Sequence, residues 1–155
     1  DPFGLKVEFR GAAAQRLWES LQSQALSWAL SDDEKEQKKG TSLLGMMNRI
    51  RASDRVVEIG VDDPFGGGDP SESRTGYLKN GNLGVNVSMG TFGRVSLATK
   101  LSHELGHVYG EIRLGISFTD YAASQGLADT YENLYRSLNG CGSKRGIFSN
   151  PRPCR

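Results

Sequence analysis

The sequence predicts an α+β fold, and three features of its 155 residues carry that expectation. Apolar residues recur at helical spacing near the start, past the middle and near the end. Two short stretches alternate apolar and polar residues with the period of a strand. The order runs helices, then strands, then helices again, a segregated arrangement rather than a regular βα repeat.

The length suits one domain with a core of its own. Apolar residues make up 37% and glycine occurs 20 times, which points to a compact domain with long, loop-rich connections. A net charge of +1 gives no bias toward nucleic acid or an anionic membrane, so neither is an expected partner. No run of apolar residues is long enough for a transmembrane helix, and no charged-then-apolar leader opens the chain. Basic residues gather in "GSKRGIFSNPRPCR", which reads as a solvated tail. Cys141 and Cys154 stand 13 apart, outside any Cys-x-x-Cys spacing; they are one disulfide or two thiols, not metal ligands.

Residues 12–30 place Leu17, Leu21, Ala25 and Trp28 on one stripe, the mark of an amphipathic helix. "SDDEKEQKKG" reads as a charged connection ending in glycine, and Leu43, Met47 and Ile50 mark a second, shorter helix. "RVVEIGVDD" turns Val57, Ile59 and Val61 inward as a strand. "DDPFGGGDPSESRTG" reads as a loop, with aspartates that fit no calcium-binding spacing. "NLGVNVSMG" alternates Leu83, Val85, Val87 and Met89 as a second strand. Leu97, Leu101, Leu105 and Val108 share a helical face, with Gly110 as the expected stop. A last helix over about 126–139 has Leu127, Tyr131, Leu134 and Leu138 as its expected inner stripe.

"HELGH" lies on the third helix and holds both histidines of the chain, four residues apart. That spacing puts His103 and His107 on one face, one turn apart, where two imidazoles can share a metal ion. Zn2+ suits such ligands, and a catalytic site keeps one position open for water. Glu104, next to His103, can take a proton from that activated water and pass it to a leaving amine. The competing reading is a histidine pair that only packs its helix. The order of elements is the layout of a small zincin-like metallopeptidase, with a short mixed sheet and an HExxH helix. In such a fold an extended substrate pairs with an edge strand beside the helix; "NLGVNVSM" is the candidate, and the other reading makes it an internal strand.

Two resemblances follow from short motifs. The opening "DPFGL" resembles the signature that closes the core of Rhs (YD-repeat) polymorphic toxins. In those proteins the core cuts itself after the signature and releases a C-terminal toxin. The resemblance implies that residues 1–5 are the remnant of that cleavage and residues 6–155 the toxin domain. "HELGH" followed by "ENLYRSLNG" is similar to the zinc metallopeptidase family of type III effectors that cleave host MAP kinases. The matching positions are His103, Glu104 and His107, then Glu132, Asn133, Arg136 and Gly140. That family carries an acidic residue in between, and here "TDYAASQGL" puts Asp120 nearest to it.

Asp120 is therefore the first choice for third zinc ligand and Glu132 the runner-up, with Asp129 and Tyr121 also open. Arg136 is a candidate transition-state stabiliser. Tyr109 is a candidate neighbour of the metal ligands, and Tyr131 is expected to be packing. Together the motifs imply a secreted zinc metalloendopeptidase, a toxin or effector delivered into the cytoplasm of a target cell in virulence or interbacterial competition. Its expected partners are a protein substrate, the parent Rhs core before release, and an immunity protein where bacteria are the victims. The rival readings are a zinc-stabilised toxin that acts by binding a partner, and a zinc amidase or deamidase.

Overall fold

The computed structural model describes residues 6–90 and 95–143. The "DPFGL" signature, Cys154 and nearly all of the basic tail lie outside the described residues. Cys141 takes part in a disulfide. Among the described residues no helix is long and apolar enough to cross a membrane.

Among the described residues the fold is α+β, with a mixed four-stranded sheet and four helices. In chain order the elements are β1 (Val7–Arg10), α1 (Ala12–Ala29), α2 (Glu34–Arg51), β2 (Val57–Val61), β3 (Arg74–Tyr77), β4 (Leu83–Val87), α3 (Leu97–Tyr109) and α4 (Tyr121–Leu138). A π-helical turn, Gly110–Leu114, extends α3. The sheet order is β1-β2-β4-β3. β1, β2 and β4 run parallel, in the register Val7↔Val57 and Val57↔Leu83, while β3 is antiparallel to β4, with Tyr77↔Leu83.

Two strands do not announce themselves in the sequence. β1 buries no residue fully, and all of β3 but Tyr77 falls in the stretch expected to be loop, with the side-chain pattern Arg-Thr-Gly-Tyr and no apolar alternation. The consequence is a correction: β4, the expected edge strand, is interior, and β3 is the edge. Met89, expected to face inward, lies past the end of β4 and is 60% exposed.

α2 is longer than its apolar residues suggest. Asp33 caps it by accepting a hydrogen bond from the Glu36 N–H at 2.8 Å, and Glu34 and Glu36 sit in its first turn with Arg49 and Arg51 in its last. Those charges match the helix dipole, so the run expected to be a connection is helical. Gly40 lies within this helix and terminates nothing: a Cβ there would stand 2.4 Å from the Ala29 backbone nitrogen, so α2 packs backbone-close on α1.

The helices cover one face of the sheet. Leu21, Leu43, Ile50, Ile59, Val85 and Leu101 are wholly buried between them. Each contributes on the order of 1.5–3 kcal/mol by leaving water. Gly110 does not stop α3; its backbone is right-handed helical, and the chain turns only at Gly115, whose φ of 68° suits a residue without Cβ.

Candidate metal centre

Ser96 caps α3, its hydroxyl accepting from the Thr99 N–H at 3.2 Å. Leu101, Leu105 and Val108 then face the core, wholly buried. With that stripe fixed inward, His103 and His107 fall on the adjoining face, toward α4. Their rings stand 5.0 Å apart between centroids, at 72°.

α4 meets this face with polar groups. Its buried residues are Ser124, Gln125, Ala128, Asp129, Glu132, Tyr135 and Arg136, whereas Leu127, Tyr131, Leu134 and Leu138 are only partly buried. The expected apolar stripe is thus displaced by a polar one. Gly106, inside the "HELGH" motif, sets the separation: a Cβ there would lie 2.6 Å from the Ala128 Cα. With the helices in backbone contact at that point, residues one turn to either side pair off. Ser124 meets His107, Oγ to Nδ1 at 2.6 Å, and Glu132 meets His103, Oε1 to Nδ1 at 2.8 Å. One further turn along, the Arg136 Nε donates to Glu132 Oε2 at 2.5 Å. Asp129 adds a second carboxylate, its Oδ1 3.3 Å from His103 Nδ1.

The electrostatics differ between the two rings. Burial disfavours the charged form of His103, but hydrogen bonds to Asp129 and Glu132 and the charges of Glu104 and Glu132 outweigh it and push its pKa up to about 10. His107 goes the other way: burial, helped by the positive charge on His103, lowers its pKa against the opposing pull of Glu104. Burial alone would raise the pKa of Glu132, yet the bonds and charges of His103 and Arg136 bring it below the ordinary carboxylate value.

Glu104 is 6% exposed, and its carboxylate meets the edge of the sheet. There the Thr75 hydroxyl of β3 donates to its Oε2 at 2.6 Å.

The other expected residues fall as follows. Asp120 is exposed at the start of α4 and caps it, Oδ1 accepting from the Ala123 N–H at 3.4 Å; it is not among the groups gathered at His103. Tyr121 is 58% exposed. Arg136 is wholly buried and directed at Glu132, the position of a group that holds a carboxylate rather than one that reaches a substrate. Tyr109 stacks edge-on against Tyr131 at 5.8 Å, and both serve packing. Sequence reasoning missed the roles of Ser124 and Thr75. Ser124, Ala128, Glu132 and Arg136 recur every fourth residue, and that spacing opposite His103 and His107 was the available signal.

His103, Asp129 and Glu132 bring ligand atoms within 4.8 Å of one another and form a group that can hold a metal ion. The donor set fits a divalent cation that accepts imidazole and carboxylate. Both imidazole Nδ1 atoms are engaged from α4, which leaves the Nε2 atoms as the remaining donors. A ligating histidine held through its other nitrogen, by a carboxylate or a hydroxyl, is the usual arrangement around a bound metal. Comparison with known protein families, curated proteins and solved structures finds no match to this chain.

Proposed function

We propose that this chain is a zinc-dependent metalloendopeptidase of the toxin or effector kind, with a zincin-like arrangement of helix and edge strand. The observation that carries the reading is the seating of α3 on α4, which occupies the Nδ1 atoms of His103 and His107 through Glu132 and Ser124 and leaves both Nε2 atoms for a metal. His103 and His107 are two of the zinc ligands. Asp129 and Glu132 both stand at the Nδ1 of His103, the side of the ring away from Nε2, so both orient that imidazole and neither is assigned as the third ligand. Glu132 also holds Arg136 through its second oxygen. Asp120, favoured by the sequence, is engaged as a helix cap.

When bound, zinc supplies Lewis acidity toward a scissile carbonyl and toward water. The chain supplies the rest. Glu104 accepts a proton as the water oxygen bonds to the carbonyl carbon, then delivers it to the amide nitrogen as the C–N bond breaks. Glu132 and Ser124 fix the orientation of the two imidazoles. β3 offers an exposed backbone edge to an extended peptide, beside the helix that carries Glu104. The toxin character rests on the motif resemblances alone.

The test compares newly created protein N-termini in cells expressing the chain or its Glu104→Gln variant, together with zinc content. New termini from the wild type alone are expected, and they name the substrate. Equal toxicity with no new termini from either would sink the peptidase reading. Asp129→Ala and Glu132→Ala are each expected to weaken zinc binding while Asp120→Ala keeps it; full zinc in both would remove that acidic pair from the site.

A further inference from the structure

Among the described residues, one oxygen of the Glu104 carboxylate is anchored. Burying such a group is costly unless it is hydrogen-bonded. Among the described residues its side chain accepts one hydrogen bond, from the Thr75 hydroxyl to Oε2 at 2.6 Å, a length typical of a charge-assisted bond. The same hydroxyl lies 3.4 Å from the Glu104 carbonyl oxygen, which pins it over this residue's backbone as well. Thr75 is 29 residues away in sequence and belongs to the edge strand, not to α3.

The pull in the opposite direction is electrostatic. Glu104 directly follows His103 on α3 and stands three residues before His107, whose ring centroid lies 5.0 Å from that of His103. A divalent cation held there would attract Glu104 as an extra ligand, and a ligating carboxylate is a poor proton carrier.

We infer that Thr75 is a positioning residue: it ties Glu104 Oε2 to β3, keeps the carboxylate off the cation and leaves Oε1 to carry the proton. The inference rests on the metallopeptidase reading and adds to it the residue that sets where the general base stands. Because Thr75 is part of the edge strand, a peptide paired with that edge runs past the same carboxylate.

The test uses Thr75→Val and Thr75→Ser in the full chain, each also combined with Glu104→Ala. Zinc affinity is read by competition with a chromophoric chelator. Cleavage is read on a peptide picked from those the wild type cuts in a proteome-derived library. Thr75→Val is expected to lower kcat about tenfold to a hundredfold with KM little changed, the scale of a misplaced catalytic group. It should bind zinc at least as tightly as the wild type, and Thr75→Ser should restore most of kcat. In the Glu104→Ala background, Thr75→Val should leave zinc affinity unchanged. A kcat within about twofold of wild type in Thr75→Val would overturn the inference. So would loss of zinc by Thr75→Val with or without Glu104, because the role would then be structural. If the wild type cuts no peptide, the metallopeptidase reading fails. The zinc cycle then decides Thr75 alone: tighter zinc that requires Glu104 supports the tether, and no dependence on Glu104 refutes it.

Discussion

Glu58 and Glu132 are both buried carboxylates held by an arginine, yet they occupy different kinds of place. Glu58, on β2, accepts from the Arg10 Nε at 3.0 Å through Oε1 and from the Asn80 and Asn82 amides at 3.1 and 2.9 Å through Oε2. It joins β1, β2 and the turn before β4. The side chain of Arg10 is 35% exposed and lies over the Phe65 ring, so water and salt reach this pair. Glu132 spans Arg136, which is wholly buried, and His103. Burial and an arginine therefore do not make a site. What separates the two is the remaining partner: two amides at Glu58, an imidazole at Glu132.

The sharpest break of the comparison is to delete each carboxylate. Glu132→Ala takes from the wholly buried Arg136 the carboxylate it donates to, which should cost about 3–5 kcal/mol of stability. It should also lower metal affinity roughly tenfold to a hundredfold by releasing His103. Glu58→Ala, beside a solvent-reached arginine, should cost about 1 kcal/mol and leave metal affinity alone. Urea unfolding and chelator competition on the two variants check both halves. Equal metal affinity in the two would remove Glu132 from the site.

A second pair of variants separates packing from positioning. Gly40 and Gly106 are both points of backbone contact between helices, with an added Cβ at 2.4 Å from Ala29 N and 2.6 Å from Ala128 Cα. Alanine at either should cost about 1–3 kcal/mol through overpacking. Only Gly106→Ala should also weaken metal binding, because it pushes α4 off both histidines. Metal affinity unchanged in Gly106→Ala would show that α4 does not need that approach to hold them.

The same contrast explains what the sequence could and could not show. Leu21, Leu43, Ile59, Val85 and Leu105 sit where apolar periodicity puts them, since burial of apolar surface is what periodicity reports. β3 carries no such pattern: as an edge strand held by backbone pairing to β4, it needs no buried side chain of its own. α4 misleads for the opposite reason. Its inner face is Ser124, Asp129, Glu132 and Arg136, residues a hydrophobic reading assigns to solvent; the first three are buried against histidines of α3 and Arg136 against Glu132. The histidine motif was legible because its chemistry lies within five consecutive residues. The carboxylates around it were not, because tertiary packing rather than local spacing brings Asp129 and Glu132, and not Asp120, to His103.

Ser124 isolates the positioning effect with little change in packing. Ser124→Ala removes the 2.6 Å bond to His107 Nδ1 and keeps the helix-forming backbone. Stability should fall by about 1 kcal/mol, the usual net value of one hydrogen bond. Metal affinity should fall about tenfold, the lower end for loss of a group that orients a ligating histidine. An affinity equal to wild type would mean that His107 is oriented by something other than this bond.

The smallest effect concerns acid. Burial raises the Glu58 pKa, but the bonds from Asn82, Asn80 and Arg10 outweigh it and bring the value below 4.5. Unfolding returns the carboxyl to its ordinary pKa, so the unfolded chain binds protons first as the pH falls. The stabilisation is therefore fully present above pH 4.5 and is lost as the pH drops through the lower folded value. Glu58→Gln has no such proton to take up, so its unfolding free energy should fall less steeply than that of the wild type through that acid window. Because Arg10 is part-exposed, the difference should stay under about 1 kcal/mol and shrink with added salt. Matching acid slopes in wild type and Glu58→Gln would mean that the folded state holds Glu58 no more tightly than the unfolded chain does.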